Sequence, residues 1–380
     1  MKSFSRFRNS SIVVCALFVG VLAGCAGSSS SLPQAAGPSQ LSPQSATAQV
    51  DPYFTWRRSL TAAGLPAAGC YRASYPSNAW TPVACVKPPH VLFPLPPSAS
   101  AREATSASQI VGNGADFTAD VKPHVMSESI GSFPVVTGVT SVHSTPQPPF
   151  PPGGGIGGTN SYSLQLNSYF FASAACGTIK NCLAWEQFVY SNPPSGFGVL
   201  FIQDWLVPTT NNGLSGCPPN KGWQFVGGGC VQNSPLGEEI SNIPIKNLAS
   251  VEETGIAAST GDSTFIAVGK NVFGIKNIQS DGITDLHGHW FGSEFNVIGN
   301  GGGYIADFNH GATIEVRLEA DTGLITAPTC PGGTGTTGET NNLNFVKAPT
   351  GPAKQQFPSI LFKMTNLTMG GGSCDAVPAI

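Results

Sequence analysis

The stretch from His287 to Val316, HGHWFGSEFNVIGNGGGYIADFNHGATIEV, constrains the fold more than any other part of the chain. Two apolar runs, Trp290 to Ile298 and Tyr304 to Leu318, flank Asn300-Gly301-Gly302-Gly303. Side chains alternate between two faces along a strand but recur every three to four residues along a helix. The runs follow the first rule, so they read as strands, and the glycine-rich break between them reads as a hairpin turn. In the first run Phe291, Ser293, Phe295 and Val297 share one face, and Trp290, Gly292, Glu294, Asn296 and Ile298 share the other. Glu294 is therefore expected beside Trp290 and Ile298. Apolar walls disfavour the charged form of a carboxyl, which is one way to prepare a general acid or base. A solvated face with a Trp on it would produce the same pattern.

The same period recurs from about Gln109 onward. PVVTGVTSV, YSLQLNSYFF, LAWEQFVY, GVLFIQDWLV, STFIAVG and ATIEVRLE are short alternating runs bounded by Gly, Pro and Asn. No stretch keeps a helical period with caps over three turns. Many short strands with glycine-rich turns predict an all-β domain over 105–380, built as a double-sheet sandwich or jelly roll. PQPPFPPGGGIGG (Pro146 to Gly158) reads as an exposed excursion before Tyr162 and a place for processing.

The N-terminus predicts export. Lys2, Arg6 and Arg8 precede the apolar run Ile12 to Val21, too short to span a membrane as a mature helix. It ends in Leu22-Ala23-Gly24-Cys25, which resembles the bacterial lipobox. That resemblance implies cleavage of residues 1–24, a lipid on Cys25 and a bilayer as partner. Ala26 after the cysteine implies the outer membrane. Residues 25–50 are rich in Ser, Pro, Gln and Ala, cannot build a core, and read as a tether. A compact unit over 51–104 follows, with Tyr71, Tyr75 and Trp80 inside a loop that Cys70 and Cys85 could close. It fits a docking module, a propeptide or an elaboration of the main domain.

Of 10 cysteines, Cys15 and Cys25 belong to the leader and the anchor. The other eight fall into local pairs: Cys70 and Cys85, Cys176 and Cys182, Cys217 and Cys230, Cys330 and Cys374. Export favours disulfides, and short loops cost least to close, so sequential pairing is expected. Only 10% of residues are charged, and removing Lys2, Arg6 and Arg8 takes the formal charge from −3 to −6. That excludes electrostatic capture of nucleic acid. Few charges also mean few ion pairs to lose in acid, although adhesins and sugar-binding sandwiches share the trait.

No GxSxG elbow or other nucleophile motif is present. His287 and His289, with Asp307 or His310, could ligate a metal, but no third ligand has a fixed spacing; no metal or cofactor is expected. Carboxyl and amide chemistry fits better. LAWEQFVY places Glu186 and Gln187 beside Trp185, and FIQDWLV places Gln203 and Asp204 beside Trp205. With Glu294 and Trp290 these are proton-transfer groups among aromatic walls, suited to a peptide or sugar cleft. Ordinary cross-strand bonding would account for them equally well.

The strand order resembles the glutamic peptidases of the eqolisin type, concanavalin A-like β-sandwiches in which a Glu and a Gln on neighbouring strands activate water. Ser293-Glu294-Phe295, the turn at Gly301 to Gly303 and IADFNHGATIEV are similar to the segment carrying that Glu. LAWEQFVY followed by FIQDWLV is similar to the upstream segment. The resemblance implies Glu294 as the base and Gln187 as the amide, with Trp185, Trp205 and Trp290 lining a polypeptide site. The plant neprosin type uses two Glu residues, which would give the role to Glu186, and YSLQL offers Gln165 as a third partner. The likeness spans about Val135 to Leu318. It departs in the Phe that follows Glu294 where the family has Trp, in Asp204, and in the added disulfides. The competing expectation is a non-enzymatic sandwich that binds glycan or protein at the cell surface.

Overall fold

The computed structural model describes residues 53–90, 110–147, 154–219, 221–277, 283–349, 355–367 and 371–379. The signal, the lipobox with Cys25 and the tether lie outside the described residues. So do the end of the 51–104 unit and the middle of the Pro146 to Gly158 excursion.

Val50–Ile380 forms one compact unit built from two sheets packed face to face. The smaller sheet runs in the order 224–226, 229–233, 197–208, 182–192, 162–168, 292–298 and 118–120, with 238–241 also on 197–208. The larger has fourteen strands, centred on 128–137, 313–321 and 359–365. Among the described residues every strand pairing is antiparallel except that of 304–308 with 340–346. This is the expected all-β double-sheet sandwich.

Alternation on the smaller sheet sets the inner layer. Leu164, Leu166, Phe188, Tyr190, Leu200, Ile202, Phe295 and Val297 point into the space between the sheets and are fully buried. Phe133 of the larger sheet meets Phe295 with ring centroids 5.1 Å apart. Gly131 makes room for that ring, since a Cβ there would lie 2.2 Å from Phe295 Cγ. The outer face is covered as well, so 162–168 and 292–298 are buried at every position. A sheet covered on both sides needs no exposed polar edge to its alternation.

Residues 69–83 of the N-terminal stretch extend the larger sheet. Gly69–Ser74 pairs with Asn271–Asn277 over six positions, and Thr81–Val83 adds the edge strand. Helix α1 (Phe54–Ala63) lies against the larger sheet, where Arg58 Nη2 is 3.0 Å from Glu319 Oε1 and 3.4 Å from Glu252 Oε2. The four sequential cysteine pairs are all disulfides.

The segment His287 to Val316 corrects two expectations. Gly292–Ile298 and Tyr304–Phe308 do not form a hairpin; they belong to different sheets. Gly301, Gly302 and Gly303 have φ of 76°, 64° and 73°, three consecutive left-handed residues that redirect the chain across the sandwich. Asn300 pins the start of that crossing by donating from Nδ2 to Ser161 Oγ and to the Asn192 carbonyl. Trp290 does not share a face with Glu294. The strand begins at Gly292, so its alternation does not reach Trp290, whose ring packs on Phe188 in the inter-sheet core at 5.4 Å.

Candidate active site

Cross-strand register on the smaller sheet aligns Glu294 with Asn167, Asn167 with Gln187, Gln187 with Gln203, and Gln203 with Asn233. Directly paired residues share a face. One polar row therefore crosses five strands on the outer face, with Asn296 and Gln165 beside its Glu294 end. Glu294, Asn167, Gln187 and Gln203 are all buried, which obliges their polar atoms to find partners within the protein.

Asn167 links the carboxylate to the amides. Its Nδ2 donates to Glu294 Oε2 at 3.2 Å, and its Oδ1 accepts from Gln187 Nε2 at 3.1 Å. Gln187 Nε2 also reaches Gln165 Oε1 at 3.2 Å, while Gln187 Oε1 receives no donor among the described residues. Gln203 continues the row, donating to Asn233 Oδ1 at 2.7 Å and accepting from Trp205 Nε1 at 2.9 Å. Asn233 Nδ2 then meets the Pro89 carbonyl, so the N-terminal stretch touches the far end of the row.

A loop following Cys330 covers Glu294. Glu294 Oε2 accepts from the Thr336 amide (2.6 Å), Thr336 Oγ1 (2.8 Å) and the Thr337 amide (3.2 Å). The Cys330–Cys374 disulfide anchors this loop, and Gly335 lets it approach, since a Cβ there would lie 2.6 Å from Glu294 Oε1. Asp116, buried and placed just before Thr118–Asp120, stands on the other side of Gly335. Its Oδ1 accepts from the Gly112 amide at 2.9 Å and from Asn296 Nδ2 at 3.0 Å. Burial raises Asp116 well above the usual carboxyl range, helped by the Glu294 charge. Glu339 closes the group: burial pushes it up to about 8, with hydrogen bonds from Thr337 and Gln165 pulling the other way.

Glu186 is one residue from Gln187 and therefore on the opposite face, inside the sandwich. The structure does not bring it to Glu294. Instead Thr284 Oγ1 lies 2.6 Å from Glu186 Oε2 and 3.0 Å from Asp204 Oδ1. One hydroxyl proton cannot serve both contacts, so at least one of the two carboxyls is protonated. Burial drives both upward, Asp204 to about 8 and Glu186 well above its ordinary range, with the Asp262 charge adding to each.

Glu294, Gln187 and Gln165 thus share the outer face. Trp185 and Trp205 stand there too, ring centroids 6.4 Å apart, while Trp290 is in the core. Trp185 Nε1 donates to Thr336 Oγ1 and to the Ser168 carbonyl, which makes it a wall of the covered site. His289 stacks on Phe171 and its Nδ1 lies 2.9 Å from the Asp285 carbonyl, whereas Asp307 belongs to the other sheet. Asp116, Asn167, Thr336, Thr337 and Glu339 were not found from the sequence. Only Asn167 carried a signal, two residues from Gln165 in one alternating strand.

No protein-family model, no curated protein and no solved structure matches the chain.

Proposed function

We propose that this chain is an exported, lipid-anchored glutamic-type endopeptidase acting on the acid side of neutral. The observation that supports this most is one carboxylate and three amides on one sheet face, Glu294 joined to Gln187 through Asn167 and flanked by Gln165. In the proposed reaction Glu294 takes a proton from water as the water oxygen bonds to a peptide carbonyl carbon. The carbonyl electron pair moves to oxygen, where the Gln187 or Gln165 amide donates to the oxyanion. The carbon–nitrogen bond then breaks, and the leaving nitrogen takes the proton held by Glu294. Glu294 is 1% exposed, so a substrate reaches it only when the loop carrying Thr336 and Thr337 swings away.

That burial favours a second reading, in which the polar row is scaffold and the sandwich binds a surface glycan or protein without catalysis. Cleavage of a denatured protein between about pH 2 and 7 separates the two. The peptidase reading expects wild type to cleave, Glu294→Gln to lose at least about 10²-fold, and Gln187→Ala or Gln165→Ala to lose about 10²–10³-fold in turnover. Folded wild type that cleaves nothing, or Glu294→Gln that cleaves as well as wild type, leaves the binding reading.

The lipobox supports the anchoring half of the proposal. Cys25→Ala should move the protein from the membrane fraction to the soluble exported fraction. Unchanged membrane association with unchanged processing would refute it.

A further inference from the structure

Glu294 and Asp116 each have one oxygen saturated and one bare. Glu294 Oε2 holds four donors, and Asp116 Oδ1 holds two. Glu294 Oε1 and Asp116 Oδ2 receive none from any other group, though both side chains are buried. Both side chains crowd the same Gly335, and the Glu294 carboxylate is among the causes that raise Asp116, after burial. Two bare carboxyl oxygens meet favourably only with a proton between them. Gly335 keeps the space open, since a Cβ there would lie 2.6 Å from Glu294 Oε1 and 2.9 Å from Asp116 Cβ.

We propose that Asp116 and Glu294 form a carboxyl pair that shares one proton between Asp116 Oδ2 and Glu294 Oε1, with Asp116 as a positioning residue for Glu294. Like charges this close cannot both ionise without large cost, so such a pair titrates as a unit. While the proton is shared, Asp116 donates to Oε1 and leaves that oxygen one lone pair for water. When pH rises enough to remove it, two charges face each other in a buried site and the geometry is lost. The catalytic half of this inference rests on the peptidase reading; the shared proton does not. Other titratable groups around the pair are Tyr169, which contacts Thr118; Asp120, on the strand beside Glu294; Lys122, over the Tyr169 ring; and Glu339, reached through Thr337 and Gln165. None of them hydrogen-bonds directly to either bare oxygen.

The test uses the mature full-length protein with ¹³C-aspartate labelling and infrared difference spectra of wild type against Asp116→Asn at about pH 6. A protonated-aspartate band present in wild type and lost in Asp116→Asn is expected. Should Asp116→Asn fold poorly, Glu294→Gln serves instead: its amide donates to Asp116, which should then ionise and lose the band. In the cleavage assay the side-chain amide introduced by Asp116→Asn would donate to Glu294 at every pH. The alkaline limb of kcat should therefore move up by about one pH unit or more, with KM little changed. Asp204, pushed to about 8, keeps its own band in every variant; a protonated-aspartate signal of which no component is lost in either variant overturns the pair. Cleavage by Asp116→Asn with the wild-type pH profile overturns its positioning role. A band that behaves as expected in a protein that cleaves nothing upholds the pair and removes the peptidase reading alone.

Discussion

Glu339 makes the stability of this protein depend on pH in a direction that can be measured. Thr337 Oγ1 lies 2.8 Å from Glu339 Oε2 and 3.0 Å from Gln165 Oε1. Thr337 has one hydroxyl proton for these two acceptors, so its hydrogen bond offsets only part of the cost of burying a charged Glu339. Burial accordingly pushes Glu339 from its ordinary 4.5 up to about 8. Between those two values the native protein holds a proton that the unfolded chain has released. Stability from this group is full below the unfolded value and falls as pH rises, by about 1.4 kcal/mol per pH unit. Over the window from 4.5 to about 8 the loss reaches about 5 kcal/mol.

Glu339→Gln keeps the shape and a donor for Thr337 but cannot ionise. Denaturant unfolding of wild type and variant, followed by circular dichroism with disulfides intact, should give similar stabilities near pH 4. By pH 8 the variant should lead by about 5 kcal/mol. Asp204, pushed to about 8, and Glu128, pushed to about 7, also weaken the protein as pH rises, but they do so in both chains and cancel in the difference. A variant whose stability tracks wild type in parallel from pH 4 to 8 refutes the reasoning. So does a wild type whose stability rises across that range.

Gly335→Ala should destabilise by about 1–3 kcal/mol through overpacking against Glu294 and Asp116, and should reduce cleavage more than a surface Gly→Ala change does; unfolding and activity on one preparation check both. Removing the Cys330–Cys374 disulfide, which closes 44 residues, should cost about 4 kcal/mol, and removing Cys176–Cys182, which closes 6, about 2 kcal/mol. Paired Cys→Ser variants measured by denaturant unfolding test that order, and only the first should also impair the site, because Cys330 anchors the loop that holds Glu294.

How much of this was legible in the sequence depends on how far each inference had to reach. Alternation within one run correctly puts Phe295 and Val297 on one face and Glu294 on the other, because that is a local property of the backbone. It fails at Trp290, two residues before the strand begins. Which of Glu186 and Gln187 would join Glu294 was not readable, since the rule that charged residues face outward gives the wrong answer here. Glu186 and Asp204 point into the sandwich, and the amides form the outer row. The register that sets Glu294 beside Asn167, 127 positions away, leaves no local trace, and Asp116 sits in the turn GNGAD with no period at all. The glycines at 301–303 announced a turn but not its destination. A hairpin and a crossing between sheets both need left-handed residues.

The inner carboxyls bear on function independently of any catalytic assignment. Glu253 is buried with neither oxygen hydrogen-bonded among the described residues, and burial raises it well above its ordinary range. Glu186 and Asp204 share a single threonine hydroxyl, and no described arginine or lysine forms an ion pair with any of these three. A buried carboxyl without a cation is tolerable when neutral and costly when charged. Each of these groups therefore favours the folded state in acid and opposes it as pH rises, as Glu339 does on the other face. A fold with this interior is suited to acidic surroundings whether its outer row cleaves peptides or only supports a binding surface, and that makes the pH dependence of stability separable from the pH dependence of activity. If Glu294→Gln abolished cleavage while the rise in stability toward acid remained, the acid bias would belong to the sandwich and the chemistry to the row.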